Sequence, residues 1–250
     1  AATPVAAFLA REPGSAAVVV SASHNPWPDN GLKLFAPGGH KLSDAVQNDI
    51  EQLLDEFAAT APSGEATAVG WIVAPTTGLL DRYIDDVVAA TAGRSLTGLK
   101  VVLDCGHGAA VCTAPAIFER LGADVTVLHA APDGRNINDA VGSTDPTVLA
   151  AEVVRLGADI GLAFDGDADR VIAVDELGAV VDGDRLLGLF AVDLAERDLL
   201  SDNTLVVTVM SNLGLHRAMA ARGIEVLVTP VGDRHVLEAM ANGGLALGGE

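Results

Sequence analysis

Two short segments hold the residues best suited to chemistry. Ser21-Ala22-Ser23-His24-Asn25-Pro26 presents a serine hydroxyl on a stretch that Asn-Pro bends into a turn. Asp165-Gly166-Asp167-Ala168-Asp169-Arg170 presents three alternating carboxylates with a guanidinium beside them. A hydroxyl that can carry a phosphoryl group and a carboxylate cage that can hold a divalent cation are complementary parts. Together they point to phosphoryl transfer through Ser23, with a metal tied to both segments.

Each part has a competing reading. Ser-His-Asn-Pro alone reads as a loop serine without chemistry. A Ser-His-Asp hydrolase is disfavoured because no Gly-x-Ser-x-Gly elbow surrounds Ser23. For the acidic segment the alternatives are a calcium loop and a solvated turn. Asp165, Asp167, Asp169 and Glu176 match the calcium-loop carboxylate spacing, but Arg170 stands where that loop needs glycine. Val171-Ile172-Ala173-Val174 then reads as a strand. If the segment is extended, alternate side chains share one side and the three carboxylates converge. Lys33 follows in Asp29-Asn30-Gly31-Leu32-Lys33 and either bends back toward Ser23 or lies on the surface. Gly106-His107-Gly108 reads as a tight strand–helix turn and not a dinucleotide site. Its third glycine position is Val111, and no acidic residue ends the next strand. Gly232-Asp233-Arg234 opens a helix, where Asp233 serves either an anion site or a helix cap.

The elements that position these segments follow from apolar patterning. Ala16–Ser21 reads as a buried strand after a helix-like opening at Thr3-Pro4. Asp44–Ala58 and Leu79–Ala92 read as amphipathic helices, the first with Ser43 as a candidate cap, and Thr60–Gly70 between them reads as a loop. From Lys100 a regular alternation begins. Strands are expected at Lys100–Asp104, Asp124–Leu128, Asp159–Phe164, Val171–Val174, Thr204–Val209, Glu225–Val228 and Leu245–Leu247. Helices are expected at Ala109–Leu121, Pro146–Leu156, Asp184–Arg197, Leu213–Arg222 and Arg234–Ala241. Continuous apolar strands alternating with helices imply an α/β protein with mixed, parallel-rich sheets. Lys100–Leu128 and Thr204–Val228 share one strand–turn–helix–strand unit, so two similar α/β modules are expected, split near Gly178–Gly183, behind an incomplete third.

Composition excludes several classes. Half of the residues are apolar, enough for a sizeable core, and a formal net charge of −19 argues against nucleic-acid or anionic-membrane partners. No apolar run reaches the roughly 20 residues a membrane span needs. No secretory leader opens the chain, and two cysteines, Cys105 and Cys112, read as buried thiols, consistent with a reducing cytoplasm. The Met-less start and the stop at Gly248-Gly249-Glu250 suggest a piece of something longer.

Taken together, the serine turn and the Asp-Gly-Asp-Ala-Asp-Arg loop resemble the α-D-phosphohexomutase superfamily. Asp29–Phe35, Asn136–Asp139 with Gly142-Ser143-Thr144, Val209–Gly214 and Val231–Arg234 are similar to its bacterial phosphoglucosamine mutase branch. Ala168 stands where that loop more often has glycine. The resemblance implies, of four α/β domains, the C-terminal part of the first at residues 1–77 with the phosphoserine loop, the second at 78–180 with the metal loop and an incomplete third at 181–250, with the fourth absent. It implies a phosphoserine at Ser23 and one Mg²⁺ held by Ser23, Asp165, Asp167 and Asp169. It gives Arg170 and His24 the phosphoryl oxygens. Lys33 becomes the general acid and base, with a pKa lowered by a cation such as Arg170. Asp233, Arg234 and Glu250 fall to phosphosugar binding. The implied substrate is a hexosamine phosphate, with a phosphomannomutase or phosphoglucomutase activity, or an inactive metal- and phosphosugar-binding fragment, as alternatives. A polypeptide of this extent alone is expected to have negligible mutase activity. Its oligomeric state stays open, a homodimer included.

Overall fold

The computed structural model describes residues 1–60 and 78–250. The loop expected at Thr60–Gly70 lies outside them apart from Thr60, which ends a helix, and so does the expected boundary at residue 77.

Helix α1 (Thr3–Leu9) opens the chain and packs on a two-stranded antiparallel sheet of β1 (Ala17–Ser21) and β2 (Gly31–Phe35). Their register pairs Ser21 with Gly31 and Val19 with Lys33, so the serine segment is the loop at the tip of the pair. Cross-strand partners share a face. Val19 and Phe35 are buried with Ala10 of the turn after α1, and Lys33 therefore projects from the side that α1 covers. Sequence reading expected a wholly buried first strand. Val18 and Val20 are instead 59% and 69% exposed, because α1 covers one face only. Helices α2 (Asp44–Thr60) and α3 (Leu79–Ala90) follow. Tyr83 of α3 meets Phe8 of α1 edge-to-face at 5.6 Å.

The second sheet has the order β4-β3-β5-β6-β7, from β3 (Lys100–Asp104), β4 (Asp124–Leu128), β5 (Ile160–Phe164), β6 (Val171–Asp175) and β7 (Val180–Val181). Central β3 runs parallel to β4 and β5, whereas β6 and β7 return antiparallel. Having a strand on each side explains why Val101, Val102 and Leu103 form one apolar run with almost no exposure. Leu149 and Val153 of α5 (Thr147–Leu156) close one face of this sheet.

The single helix expected over Ala109–Leu121 is divided. Ala109–Cys112 is a 3₁₀ turn, and α4 runs from Ala114 to Arg120. Pro115 in the first turn of α4 lacks the N–H that a continuous helix would bond. The break also turns Cys112 outward, so of the two cysteines only Cys105 is buried.

The third sheet, β10-β8-β9, is parallel throughout and joins β8 (Thr204–Thr208), β9 (Glu225–Thr229) and β10 (Leu247–Gly248). Helices α6 (Gly183–Glu196), α7 (Leu213–Ala220) and α8 (Asp233–Gly243) belong to the same unit. Leu187, Ala191, Leu205, Val207, Leu215 and Met219 form a core here. Asp182 and Asn212 cap α6 and α7 by accepting the N–H groups of Arg185 and Leu215. The repeated unit read from sequence is thus two parallel strand–helix–strand crossings, one in each of these sheets. No helix among the described residues is long and apolar enough to cross a membrane.

Candidate active site

The strand ends bring the two chemical segments into contact. Asp165 follows β5, and the chain turns back into β6 through Ala168, whose φ is +57°. The carboxylates converge because the loop is a tight turn, with Ala168 N–H donating to Asp165 O at 3.0 Å, and not because it is extended as the alternation suggested. The left-handed backbone also explains the preference for glycine there, and alanine costs about 1 kcal/mol at such a φ.

Backbone packing holds this turn against its neighbours. Gly108 and Gly166 touch so closely that a Cβ on Gly108 would stand 2.4 Å from Gly166 O. Ala109 N–H donates to that same oxygen at 2.8 Å, and Gly166 N–H donates to Ser23 O at 3.1 Å. The Gly106-His107-Gly108 turn is therefore structural, and its role is to let the metal-type loop seat.

Ser23 itself has φ +53°, a conformation that serine rarely adopts. Its hydroxyl can donate to Asp165 Oδ2 at 3.4 Å and accepts from Arg170 Nη2 at 2.7 Å. The same Arg170 nitrogen lies 2.5 Å from His24 Nδ1. Asp165 Oδ1 accepts the N–H groups of Asp169 and Arg170 at 3.2 Å, leaving Oδ2 turned to the serine. Asp165 is wholly buried, and that burial, reinforced by the charges of Asp169 and Asp167, pushes its carboxyl up to about 6.

Asp167 is 1% exposed. Its Oδ2 accepts from Thr3 Oγ1 at 2.5 Å and Lys33 Nζ at 2.6 Å, and Thr3 N–H donates to its backbone oxygen at 2.8 Å. Burial alone would raise its carboxyl. The Lys33 and Thr3 hydrogen bonds outweigh that and hold it below the usual range. Lys33 also reaches Asp169 Oδ2 at 2.5 Å. Burial pulls the Lys33 ammonium down, but the bonds and charges of Asp167 and Asp169 together carry it above its ordinary value. The expected lowering by Arg170 is therefore corrected, since anions and not a cation surround Lys33.

The three carboxylates each offer an oxygen within 4.8 Å of the others, and Asp167 Oδ1 is buried with no hydrogen-bond partner among the described residues. An orphaned carboxylate oxygen among like charges fits a hard divalent cation, whose ligands are oxygens. The buried Asp165 and Asp167 also rule out a solvated acidic turn, and strand β6 straight after Arg170 rules out the calcium loop.

Asp233, Arg234 and Glu250 lie apart from this network. Asp233 sits in the first turn of α8 without capping it, and its carboxylate pairs with Lys41 from the segment after β2. Glu250 Oε2 accepts from Gly232 N–H at 3.0 Å, which joins the chain's last residue to the Gly232-Asp233-Arg234 turn. A groove of about 540 Å³ lined by residues of β2, Lys33 among them, and of α2 also takes in Lys41 and Arg234. Sequence reasoning did not find Thr3, Lys41 or Asn138, whose amide reaches the serine loop. Their partners are distant in sequence; the Asn136–Asp139 stretch was singled out only for its resemblance, and nothing local showed what Asn138 touches.

Family comparison agrees with this arrangement. Models of phosphoglucomutase/phosphomannomutase α/β/α domains I, II and III match residues 1–60, 81–178 and 182–250. The chain belongs to the phosphoglucomutase/phosphomannomutase family. It is 53% identical over 249 residues to a phosphoglucosamine mutase of Moorella thermoacetica, covering 99% of this chain and 56% of that protein. To the phosphoglucosamine mutase of Mycolicibacterium smegmatis it is 50% identical, covering 99% of this chain and 54% of the relative. A crystal structure of a phosphoglucomutase/phosphomannomutase family protein from Burkholderia thailandensis superposes with a TM-score of 0.76 at 29% identity. That match covers 100% of this chain and 54% of that one. This chain therefore spans about half the length of the relatives it matches.

Proposed function

We propose that this chain carries the phosphoryl-transfer centre of a phosphoglucosamine mutase, which interconverts glucosamine 6-phosphate and glucosamine 1-phosphate through a bound 1,6-bisphosphate. The observation that carries the reading is Ser23 Oγ, 2.7 Å from Arg170 Nη2 and 3.4 Å from the buried Asp165 carboxylate. The subfamily rests on the names of the relatives and on their identity to this chain.

In this reading Ser23 Oγ bears a phosphoryl group and passes it to the free hydroxyl of the sugar monophosphate. The bisphosphate reorients, and its other phosphoryl group returns to Ser23. Phosphoryl transfer needs mainly alignment and charge compensation. Arg170 compensates the Ser23 oxygen as its bond to phosphorus lengthens and, with His24, orients the phosphoryl oxygens. Asp165, Asp167 and Asp169, with an oxygen of phosphorylated Ser23, would hold Mg²⁺, which when bound supplies charge neutralisation for the phosphoryl group. Lys33 is the acid and base candidate. Its two carboxylate partners keep it proton-loaded, so it accepts a proton only once they are drawn away. Asp233, Arg234 and Glu250 would meet the sugar and its distal phosphate along the groove.

The test is a coupled mutase assay on the intact natural protein and its Ser23→Ala variant, with glucosamine, mannose and glucose 6-phosphates as substrates. Turnover is expected to be highest on the glucosamine ester and to fall by at least about 10³-fold in the variant. A preference for mannose or glucose would replace the subfamily reading. Substantial activity of Ser23→Ala would end the phosphoserine scheme.

A further inference from the structure

The structure assigns to Asn138 the task of holding the Ser23 turn in its reactive shape, as a positioning residue contributed by the second domain. Its side-chain Nδ2 donates to Ser23 O at 2.7 Å and to Asn25 O at 3.0 Å. Both acceptors are carbonyl oxygens, so the atom facing them must be the amide nitrogen. Asn138 Oδ1 points away, buried and without a partner among the described residues.

The backbone of Asn138 is as constrained as its side chain. Asn138 N–H donates to Gly106 O at 3.0 Å, and its φ is +57°. Asparagine tolerates this left-handed region better than other residues of its size. Its neighbour Ile137 lies against Gly166, where a Cβ would come within 2.5 Å of Ile137 Cδ1. One short segment thus grips both the metal-type loop and the serine loop.

Ser23 needs such a grip. Its φ of +53° is not one a serine keeps unaided, and within its own loop the ties are few. Ser23 N–H donates to Ser21 Oγ at 2.8 Å and Asn25 N–H to Ala22 O at 2.9 Å. The restraints on the Ser23 backbone oxygen come from the second domain, namely Gly166 N–H and the Asn138 amide. Freed of the amide, the turn relaxes and Ser23 Oγ loses its alignment with Arg170 and Asp165. A nucleophile displaced by about 1 Å loses on the order of 10²-fold in rate.

The inference rests on the reading of Ser23 as nucleophile, and the experiment keeps the two separable. Asn138→Gly retains the left-handed backbone and deletes the amide. Asn138→Asp retains the shape and cannot donate to the two carbonyls. Three quantities are measured in both variants and in the unsubstituted protein. They are hydrogen exchange at the Ser23 and Asn25 amides, the rate at which glucosamine 1,6-bisphosphate phosphorylates Ser23, followed by intact mass, and Mg²⁺ affinity. We expect exchange about tenfold faster, phosphorylation slower by on the order of 10²-fold, and Mg²⁺ affinity changed by no more than about twofold. Unaltered exchange or unaltered phosphorylation in the variants overturns the inference. So does a loss of Mg²⁺ affinity as large as the loss in rate, because Asn138 would then act through the metal-type loop. If Asn138→Gly fails to fold, Asn138→Asp decides. If the unsubstituted protein takes up no phosphoryl group, the proposed function fails, and exchange at Ser23 and Asn25 alone decides the role of Asn138.

Discussion

Replacing Thr3 by valine isolates one bond in the site. The two side chains have nearly the same shape, so Thr3→Val removes a hydroxyl and leaves the volume. That hydroxyl donates to Asp167 Oδ2 at 2.5 Å, with Thr3 6% and Asp167 1% exposed. A hydrogen bond to a charged acceptor contributes about 1.5–3 kcal/mol. Lys33 stays on the same oxygen at 2.6 Å, so the carboxylate is not stranded and the loss lies near the low end. About 1.5 kcal/mol corresponds to about tenfold in affinity. Tenfold is also the lower edge of what outer-shell partners of metal-ligating carboxylates contribute. The assay is calorimetric titration of Mg²⁺ into the unsubstituted protein, Thr3→Val and Thr3→Ser. Valine is expected to weaken binding about tenfold, while serine, which keeps the donor, restores affinity to within about threefold. An unchanged dissociation constant in Thr3→Val would show that the Thr3 bond does not orient Asp167 Oδ1. A serine variant as weak as valine would show that the methyl group, and not the hydroxyl, was needed.

Ala168→Gly should relieve the strain at φ +57° and raise the melting temperature by about 2–4 °C for a gain of about 1 kcal/mol. A melting temperature that stays put or falls would show that the loop pays no conformational penalty there. Burial, with the charge of Asp104 behind it, pushes the Cys105 thiol up to about 12, whereas Cys112 is exposed. Burial disfavours the thiolate, so at pH 8 only about 1 in 10⁴ of Cys105 is reactive. A maleimide should therefore label one thiol per native chain and two after unfolding. Two thiols reacting at similar rates in the native protein would contradict the buried placement.

Several features were legible in sequence because their causes are local. Lys100–Asp104 and Asp124–Leu128 were read to the residue, the first because a strand with a neighbour on each side carries an unbroken apolar run, the second because an edge strand alternates apolar and polar residues. The metal-type loop was legible because three carboxylates at alternate positions are costly unless something binds them. The divided helix at Thr113 was not, although Pro115 carried the signal, because its neighbours Ala114, Ala116 and Ile117 are compatible with one continuous helix. Strand β2 was missed altogether. Leu32-Lys33-Leu34 follows a turn-rich segment, and only pairing with β1 makes it a strand.

The amino-acid sequence by itself determined the reactive groups, namely a serine on a turn, three carboxylates and an arginine, and the α/β elements that end beside them. Tertiary structure alone decided how those groups act on one another. The β1–β2 register turns Lys33 inward onto Asp167 and Asp169, and this raises its pKa where sequence reasoning lowered it. The seating of α1 and of the Asn138 turn brings Thr3 to Asp167 and the Asn138 amide to Ser23. Each of these contacts joins residues more than a hundred positions apart, or depends on which face of a strand looks inward. Charge and hydrogen bonding act over a few ångströms of space, and the sequence does not state which residues come that close.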